Sequence, residues 1–174
     1  MKKIDKKKGI LFWVTGLSGS GKTKISKKIK KDISRLYGPT IMISGDDIRE
    51  IFKFNKFTAE ERFSLGLKNC KFAKFITDQN INLIFAAVGL MHSTRKWYKK
   101  NIENYVEIFI KADLKTIIKK NKKKIYRQKN IGDIVGINIK PEFPKNPDII
   151  INNNFKLKTE VLAKNLVKKI QRII

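Results

Sequence analysis

The chain has 174 residues, of which 41% are hydrophobic and 10% aromatic, and this composition predicts a globular domain rather than a disordered chain. A single cysteine, Cys70, excludes a disulfide scaffold and a thiolate zinc site, and a single histidine, His92, excludes a histidine-rich metal site. The net charge is +25, yet only six of the 40 basic residues are arginine, so the lysine excess favours a compositional bias over a phosphate-reading surface.

Short apolar runs alternate with helical patterns along the chain. The apolar runs predict strands at residues 10–15, 40–44, 81–88, 105–110 and 148–151. Helices are predicted over residues 21–37 and 47–52, from a capping box at Thr58 to Gln79, after Asp113, and over 159–174. In the third of these helices Phe72, Phe75 and Ile76 have helical spacing. The alternation predicts one three-layer α/β domain, residues 1–174, around a parallel five-stranded sheet.

Residues 119–147 break this alternation. They are basic and irregular, and they contain Gly132, Gly136 and three prolines. Because 29 residues are too many for an ordinary connection, this stretch is predicted to be a functional lid.

No segment predicts a membrane span or a secretion signal. The longest apolar stretch, residues 81–92, is too short to cross a bilayer, and the lysines at the N-terminus precede only a five-residue apolar run. We therefore expect a cytoplasmic protein with no membrane partner.

The most specific motif is Gly16-Leu-Ser-Gly-Ser-Gly-Lys-Thr23, which matches the phosphate-loop pattern G-x-x-x-x-G-K-[ST]. An apolar strand precedes it and a helix follows it, as a phosphate loop requires. Lys22 is expected to reach the β- and γ-phosphates of ATP, and the Thr23 hydroxyl to hold Mg²⁺. The loop residues expected to cradle the phosphates are Gly16, Ser18, Gly19, Ser20 and Gly21.

The catalytic carboxylate is predicted at the end of the second strand. The third strand ends without an acidic residue, whereas Asp46 follows the second strand and would lie near the loop. Asp46 could order Mg²⁺ together with Thr23 or accept the proton of an attacking hydroxyl; alternatively, it only caps the next helix. Asp47 is interpreted as a first-turn helix charge and Arg49 as a ligand of a substrate phosphate.

With these motifs placed in order, the chain resembles the adenylylsulfate kinase family over nearly its whole length. The resemblance rests on the loop with Trp13-Val-Thr before it, Gly45-Asp46-x-x-Arg49, Phe57-Thr58-x-Glu60-Glu61-Arg62, Ile125-Tyr126, Val135-Gly136-Ile137 and Pro144-x-Asn146-Pro147. It implies a P-loop kinase fold, often a homodimer, that phosphorylates the ribose 3′-hydroxyl of adenylylsulfate with ATP and Mg²⁺. It also implies that Arg49 and Arg62 hold the nucleotide acceptor and that Phe57 stacks on its base.

The departures from the family pattern concern the acceptor. Ser44 replaces an aspartate, residues 65–68 lack an amide and an arginine, and residues 90–95 replace a Ser-Pro-Tyr-Arg segment. In the lid, Ile134 and Val135 stand where a second aromatic would face the base, so we expect them to form an aliphatic wall. Loss of stacking surface and polar partners should change the choice of acceptor more than the phosphoryl chemistry.

The sequence therefore leaves two nucleotide acceptors open. Adenylylsulfate is the named substrate of the family, but Arg95-Lys96-Trp97 and the segments near Val135 and Pro144 are similar to a branch that phosphorylates cytidine diphosphoramidate. The +25 charge alone supports two further readings, a polynucleotide 5′-kinase and a basic nucleic-acid-binding module. Intact Lys22, Thr23 and Asp46 argue against the binding module, and a nucleic-acid partner is not expected.

Overall fold

The computed structural model describes residues 2–54, 59–120 and 134–174. Its five strands are β1 (Leu11–Thr15), β2 (Thr40–Ser44), β3 (Asn82–Ala86), β4 (Tyr105–Lys111) and β5 (Ile149–Asn152). Its six helices are α1 (Lys22–Tyr37), α2 (Gly45–Ile51), α3 (Ala59–Asp78), α4 (His92–Asn101), α5 (Leu114–Lys119) and α6 (Thr159–Ile173).

The strands form one parallel sheet in the order β2-β3-β1-β4-β5. The predicted α/β fold and parallel five-stranded sheet are thus confirmed. The third strand is shorter than predicted, because the apolar residues after Ala86 leave the sheet and line the site described below.

Helices cover both faces of the sheet. One hydrophobic cluster joins the strands to α1 and α6, and a second joins them to α2, α3 and α4. Leu17, Leu90 and Ile117 form a third, small cluster at the carboxyl end of the sheet. All five residues of β1 are buried, as expected of a central strand with a helical layer on each face.

The side chains that helix α3 buries differ from those that the helical spacing in the sequence suggested. Ile76 is buried and Phe72 packs against the second cluster, but the side chain of Phe75 is 63% exposed. The buried stripe instead includes Cys70 and Ala73, whose small side chains let the helix lie close to its neighbours. Burial raises the pKa of the Cys70 thiol to about 11, which keeps it protonated at neutral pH.

Residues 134–147 contain no helix or strand, in keeping with an irregular segment, and an isolated bridge pairs Val135 with Ile139. The part of the predicted lid at residues 121–133, including Ile125-Tyr126, lies outside the described residues. No helix of the described ranges is long and apolar enough to cross a membrane.

Helix α2 begins with a reciprocal cap. The backbone N–H of Asp47 donates to Ser44 Oγ at 3.2 Å, and the backbone N–H of Ser44 donates to Asp47 Oδ2 at 2.7 Å. Ser44 is therefore the capping residue, and the idea that Asp46 caps this helix is wrong. Asp47 is a first-turn acid, as predicted, and it closes the capping box as well.

Replacing Asp47 with alanine should lower the free energy of unfolding by about 1 kcal/mol, because the backbone N–H of Ser44 then loses its bond to the Asp47 carboxylate, whereas the bond from the Asp47 N–H to Ser44 Oγ remains. For a domain of this size, this corresponds to a fall in Tm of about 2–4 °C in a calorimetric scan. Glu50→Ala, on the same helix but outside the box, is the control. A fall in Tm no larger than that of the control would contradict the role of the box.

Candidate active site

The phosphate loop connects β1 to α1 through glycines in left-handed backbone conformations. Gly16, Gly19 and Gly21 have φ angles of 146°, 78° and 97°. A Cβ on Gly16 would lie 2.5 Å from the carbonyl oxygen of Ile110, and a Cβ on Gly21 would lie 2.8 Å from Asn153 Nδ2. The loop therefore requires glycine at both positions, where it turns sharply against β4 and the residue after β5.

Lys22 begins α1 and is only 7% exposed. Its Nζ donates a hydrogen bond to the carbonyl oxygen of Leu17 at 2.8 Å, so the ammonium group lies folded over the loop. Ser20 Oγ is also buried, without a hydrogen-bond partner among the described residues. A cation, a free hydroxyl and the N-terminal end of a 16-residue helix thus converge on one point, which is the arrangement that binds a phosphate chain.

A cavity of about 440 Å³ extends from this loop. Among the residues lining it are Ser18, Gly19, Gly21, Lys22, Thr23, Lys24, Lys27, Asp46, Arg49, Asn153, Phe155 and Thr159. The structure therefore brings Ser18, Gly19, Gly21, Lys22 and Thr23 together with Asp46 at the carboxyl ends of β1, β2 and β3, whereas the predicted residues Gly16 and Ser20 do not line this space. We call this space the nucleotide cavity.

Asp46 faces the nucleotide cavity and forms an ion pair with Arg49, one helical turn later. The Asp46 side chain is 60% exposed and that of Arg49 34% exposed. Because Ser44 and Asp47 satisfy the start of α2, the Asp46 carboxylate does not cap the helix and instead borders the nucleotide cavity.

A second cavity, of about 280 Å³, adjoins the first. Both are lined by Gly45, Arg49, Ala87 and Val88, so the two spaces are separated only by the ends of β2 and β3 and the start of α2. We call the second space the acceptor cavity. It is walled mainly by apolar and aromatic side chains, as small-molecule sites usually are.

Most of the predicted acceptor residues lie on the acceptor cavity. Arg49, Arg62 and Val135 line it. Ile134 is 8% exposed and is not among the lining residues, so its side chain packs behind this wall rather than in it. Phe57 lies outside the described residues, and its stacking role stays a prediction.

Sequence reasoning missed several residues of this cavity. Trp13 and Tyr98 line its floor, with ring centroids 4.7 Å apart, and Phe54, Leu65 and Asn69 line its walls. The sequence offered no sign of this role for Trp13, since its run of apolar residues indicates only a buried strand. Tyr98 is fully buried, and its ring also forms part of the site.

Gly89 explains why the segment after β3 follows the cavity wall. Its φ angle is +40°, and a Cβ there would lie 2.2 Å from Trp13 Cζ2. The indole therefore occupies the space that any other side chain at position 89 would need. A glycine directly after a predicted strand was the only sequence signal for this contact.

A buried ion pair also lies beside the acceptor cavity, and sequence reasoning did not identify it. Arg95 Nε and Glu107 Oε1 are 3.0 Å apart, and both residues are 6% exposed. Burial raises the pKa of the Glu107 carboxyl, while the Arg95 charge opposes this shift by favouring the ionised form. The pair joins α4 to β4, where Glu107 lies in register with Trp13.

Comparison with known proteins agrees with this geometry. The family model described as adenylylsulphate kinase matches residues 8–152. A cytidine diphosphoramidate kinase of Campylobacter jejuni is 31% identical over 163 residues, which cover 92% of this chain and 95% of that protein. An adenylyl-sulfate kinase of Clostridium kluyveri is 28% identical over 151 residues, covering 84% and 76% of the two chains.

The fold also matches a solved kinase. The structure of an APS kinase from Mycobacterium tuberculosis in complex with AMPPNP and APS superimposes with a TM-score of 0.82 over 94% of this chain and 98% of its own, at 20% identity. At that identity the superposition supports the P-loop kinase fold, and the acceptor has to be argued from the cavity itself.

Replacing Lys22 with alanine should lower ATP-dependent phosphoryl transfer by about 10²–10³-fold, because the ammonium group meets oxygens that gain charge in the transition state. The measurement is turnover with a panel of nucleotide acceptors, with circular dichroism to verify folding. Lys30→Ala, on the exposed face of the same helix, is the matched control. Turnover at the control level in a folded Lys22→Ala variant would contradict the assignment of the loop.

Proposed function

Because the chain belongs to the adenylylsulphate kinase family, we propose that it transfers the γ-phosphate of ATP to the ribose 3′-hydroxyl of an activated nucleotide. The observation that carries this proposal is the shared wall of the two cavities. A phosphate chain in the nucleotide cavity and a nucleoside in the acceptor cavity would meet beside Gly45 and Arg49, next to the Asp46 carboxylate.

In the proposed reaction, the acceptor hydroxyl oxygen forms a bond to the γ-phosphorus, and the bond from that phosphorus to the bridging oxygen breaks. ADP leaves with the electron pair, and the hydroxyl proton passes to Asp46 or, through water, to solvent. Lys22 and the N–H groups of the loop stabilise the phosphate oxygens as their charge grows. Arg49, which lines both cavities, holds the transferred group or the acceptor phosphate in line.

The residues present fit a magnesium ion. The Thr23 hydroxyl and the Asp46 carboxylate both line the nucleotide cavity, and Mg²⁺ commonly takes one or two protein oxygens together with substrate phosphates and water. When bound, Mg²⁺ neutralises charge that develops on the phosphate oxygens. No group of three acidic, histidine or cysteine side chains suited to a metal occurs in the described part of the chain, so the phosphates themselves would have to complete this site.

A cytidine diphosphate-type nucleotide, such as cytidine diphosphoramidate, is the acceptor that the cavity supports best. The wall at Val135 and Ile139 is aliphatic, so a large purine would lose one stacking face there. The Campylobacter relative also covers 92% of the chain. Adenylylsulfate is the second candidate, since the family model and many of the relatives carry that activity in their names.

Replacing Asp46 with asparagine should lower kcat much more than it raises either KM, because asparagine keeps the size of the side chain but removes the charge that orders Mg²⁺ or accepts a proton. A positioned acid–base group typically contributes about 10²–10⁴-fold. Steady-state kinetics in both substrates measures the change. Asp47→Asn, which retains an acceptor oxygen for the capping box, is the control and should keep kcat within about twofold.

An undiminished kcat for Asp46→Asn would exclude Asp46 from the chemistry. So would an equal loss in Asp47→Asn, because it would show that the effect comes from the helix and not from the charge at the cavity.

Side-by-side assays at equal ATP and Mg²⁺ should give a higher kcat/KM for cytidine diphosphoramidate than for adenylylsulfate. Val135→Phe, which adds an aromatic face to the cavity, should then move the ratio toward adenylylsulfate by up to about 100-fold, because one base–aromatic stack contributes roughly 1–3 kcal/mol. Val135→Leu enlarges the side chain without a ring and is the control. A strong preference of the unmodified chain for adenylylsulfate would overturn the assignment of the acceptor.

A further inference from the structure

The Arg95 guanidinium contacts four separate partners around the acceptor cavity. Besides the ion pair with Glu107, Nη1 donates a hydrogen bond to the carbonyl oxygen of Gly89 at 3.2 Å, and Nη2 donates one to the carbonyl oxygen of Glu142 at 2.6 Å. Nη2 also lies 2.6 Å from His92 Nδ1. Arg95 does not line the cavity, but Gly89 and Glu142 do.

Glu142 belongs to residues 134–147, which we call the return segment because it leads the chain back to β5. The backbone N–H of Glu142 donates to the carbonyl oxygen of Leu90 at 3.1 Å. Its carboxylate accepts a hydrogen bond from the backbone N–H of His92, at the first turn of α4. Met91, the N-cap residue of α4, supplies no side-chain bond there, so Glu142 serves as the cap from outside the helix.

These contacts bring together two segments that form opposite parts of one wall. Leu90 and Met91 follow β3, whereas Val135, Ile139 and Glu142 belong to the return segment, and all five line the acceptor cavity. Besides the Glu142–Leu90 and Glu142–His92 hydrogen bonds, both segments share the Arg95 guanidinium. The distance between these two segments therefore depends on the position of the Arg95 guanidinium.

The chemistry at position 95 requires arginine. A guanidinium presents five N–H donors in a fixed plane and can serve a carboxylate and two carbonyl groups at once, whereas the lysine ammonium is a single point of charge on a flexible stem. A buried ion pair is often no more stabilising than well-packed apolar side chains of similar volume. Stability alone therefore gives little reason for an arginine at this position. A better reason is that one guanidinium can hold β4, the segment after β3 and the return segment in place around a binding site.

We propose that Arg95 is a positioning residue for the acceptor: anchored by Glu107, it holds Gly89 and Glu142 at the spacing that shapes the acceptor cavity. The identity of the ligand rests on the proposed function, whereas the contacts of Arg95 with the Gly89 and Glu142 carbonyl groups do not depend on it. Arg95 acts through the two backbone carbonyl groups and does not touch the reacting atoms. Its loss should therefore weaken acceptor binding and leave ATP binding unchanged.

The test compares Arg95→Lys with Glu107→Gln. Lysine keeps a cation beside Glu107 but cannot serve both carbonyl groups, so we expect the KM for the nucleotide acceptor to rise by about 10–100-fold, the range for losing a hydrogen bond from a charged donor. The KM for ATP should stay within about twofold. Glu107→Gln keeps a side-chain oxygen that can accept a hydrogen bond from Arg95 Nε, so the guanidinium stays on Gly89 and Glu142 and the acceptor KM should change much less.

Hydrogen exchange gives a second readout that does not depend on which nucleotide is phosphorylated. The Glu142 amide, bonded to Leu90, should exchange at least about tenfold faster in Arg95→Lys than in the unmodified chain, while amides of β1 should be unaffected. Amides of β1 also serve as the internal control for global unfolding.

Three results would overturn the inference. One is an unchanged acceptor KM in a folded Arg95→Lys variant whose Glu142 amide exchanges faster, since the contact would then be structural only. Another is an equal rise in both KM values, and the third is an unchanged rate of exchange at Glu142. If the unmodified chain phosphorylated neither nucleotide, the proposed function would fail, and exchange at Glu142 would still decide whether Arg95 holds the return segment.

Discussion

The position of the phosphate loop depends on the burial of β1. This strand pairs in parallel with β3 on one side and β4 on the other, and every one of its residues is buried. Its end is therefore fixed, and Gly16 turns so close to β4 that a side chain would collide with the Ile110 carbonyl oxygen. Lys22 and the N-terminus of α1 follow within six residues, so the cation and the helix dipole point to a site that the sheet has already placed.

The proposed reaction centre lies where the two cavities meet. The nucleotide cavity is lined by the loop after β1, the first turns of α1, the start of α2 and residues at the ends of β3 and β5, whereas the acceptor cavity is assembled from β1, α2, α3, α4 and the segments after β3 and before β5. Arg49 and Gly45 belong to both. A capping box at Ser44 and Asp47 fixes the first turn of α2 and so leaves Asp46 with its carboxylate at the junction. The local sequence thus places the proposed catalytic charge, while long-range packing shapes the space proposed to receive the acceptor.

This division explains why relatives can share phosphoryl chemistry and differ in acceptor. A side chain in place of Gly16 or Gly21 of the loop would collide with neighbouring atoms. The acceptor cavity, in contrast, is bordered by side chains from many elements, including Leu65, Asn69, Val135 and Ile139. Each can change in size or polarity without moving the sheet. The buried network around Arg95 then becomes important, because it holds the carbonyl groups of Gly89 and Glu142 in place while neighbouring side chains vary.

Residues close together in the chain were enough to predict the parallel α/β architecture, the phosphate loop and a site near the segment from Ser44 to Arg49. The sequence misjudged Phe75, whose spacing fits a helix but whose neighbours in space decide its exposure, and it left open whether Asp46 was a cap. In contrast, the position of Trp13 and Tyr98 beside a cavity and the contacts of Arg95 with Glu107 and Glu142 emerge only when the chain is folded. Such contacts join residues on different helices and strands, and Trp13 and Tyr98 are 85 positions apart in the chain. The periodicity of a single helix or strand does not indicate which faces of two elements pack together.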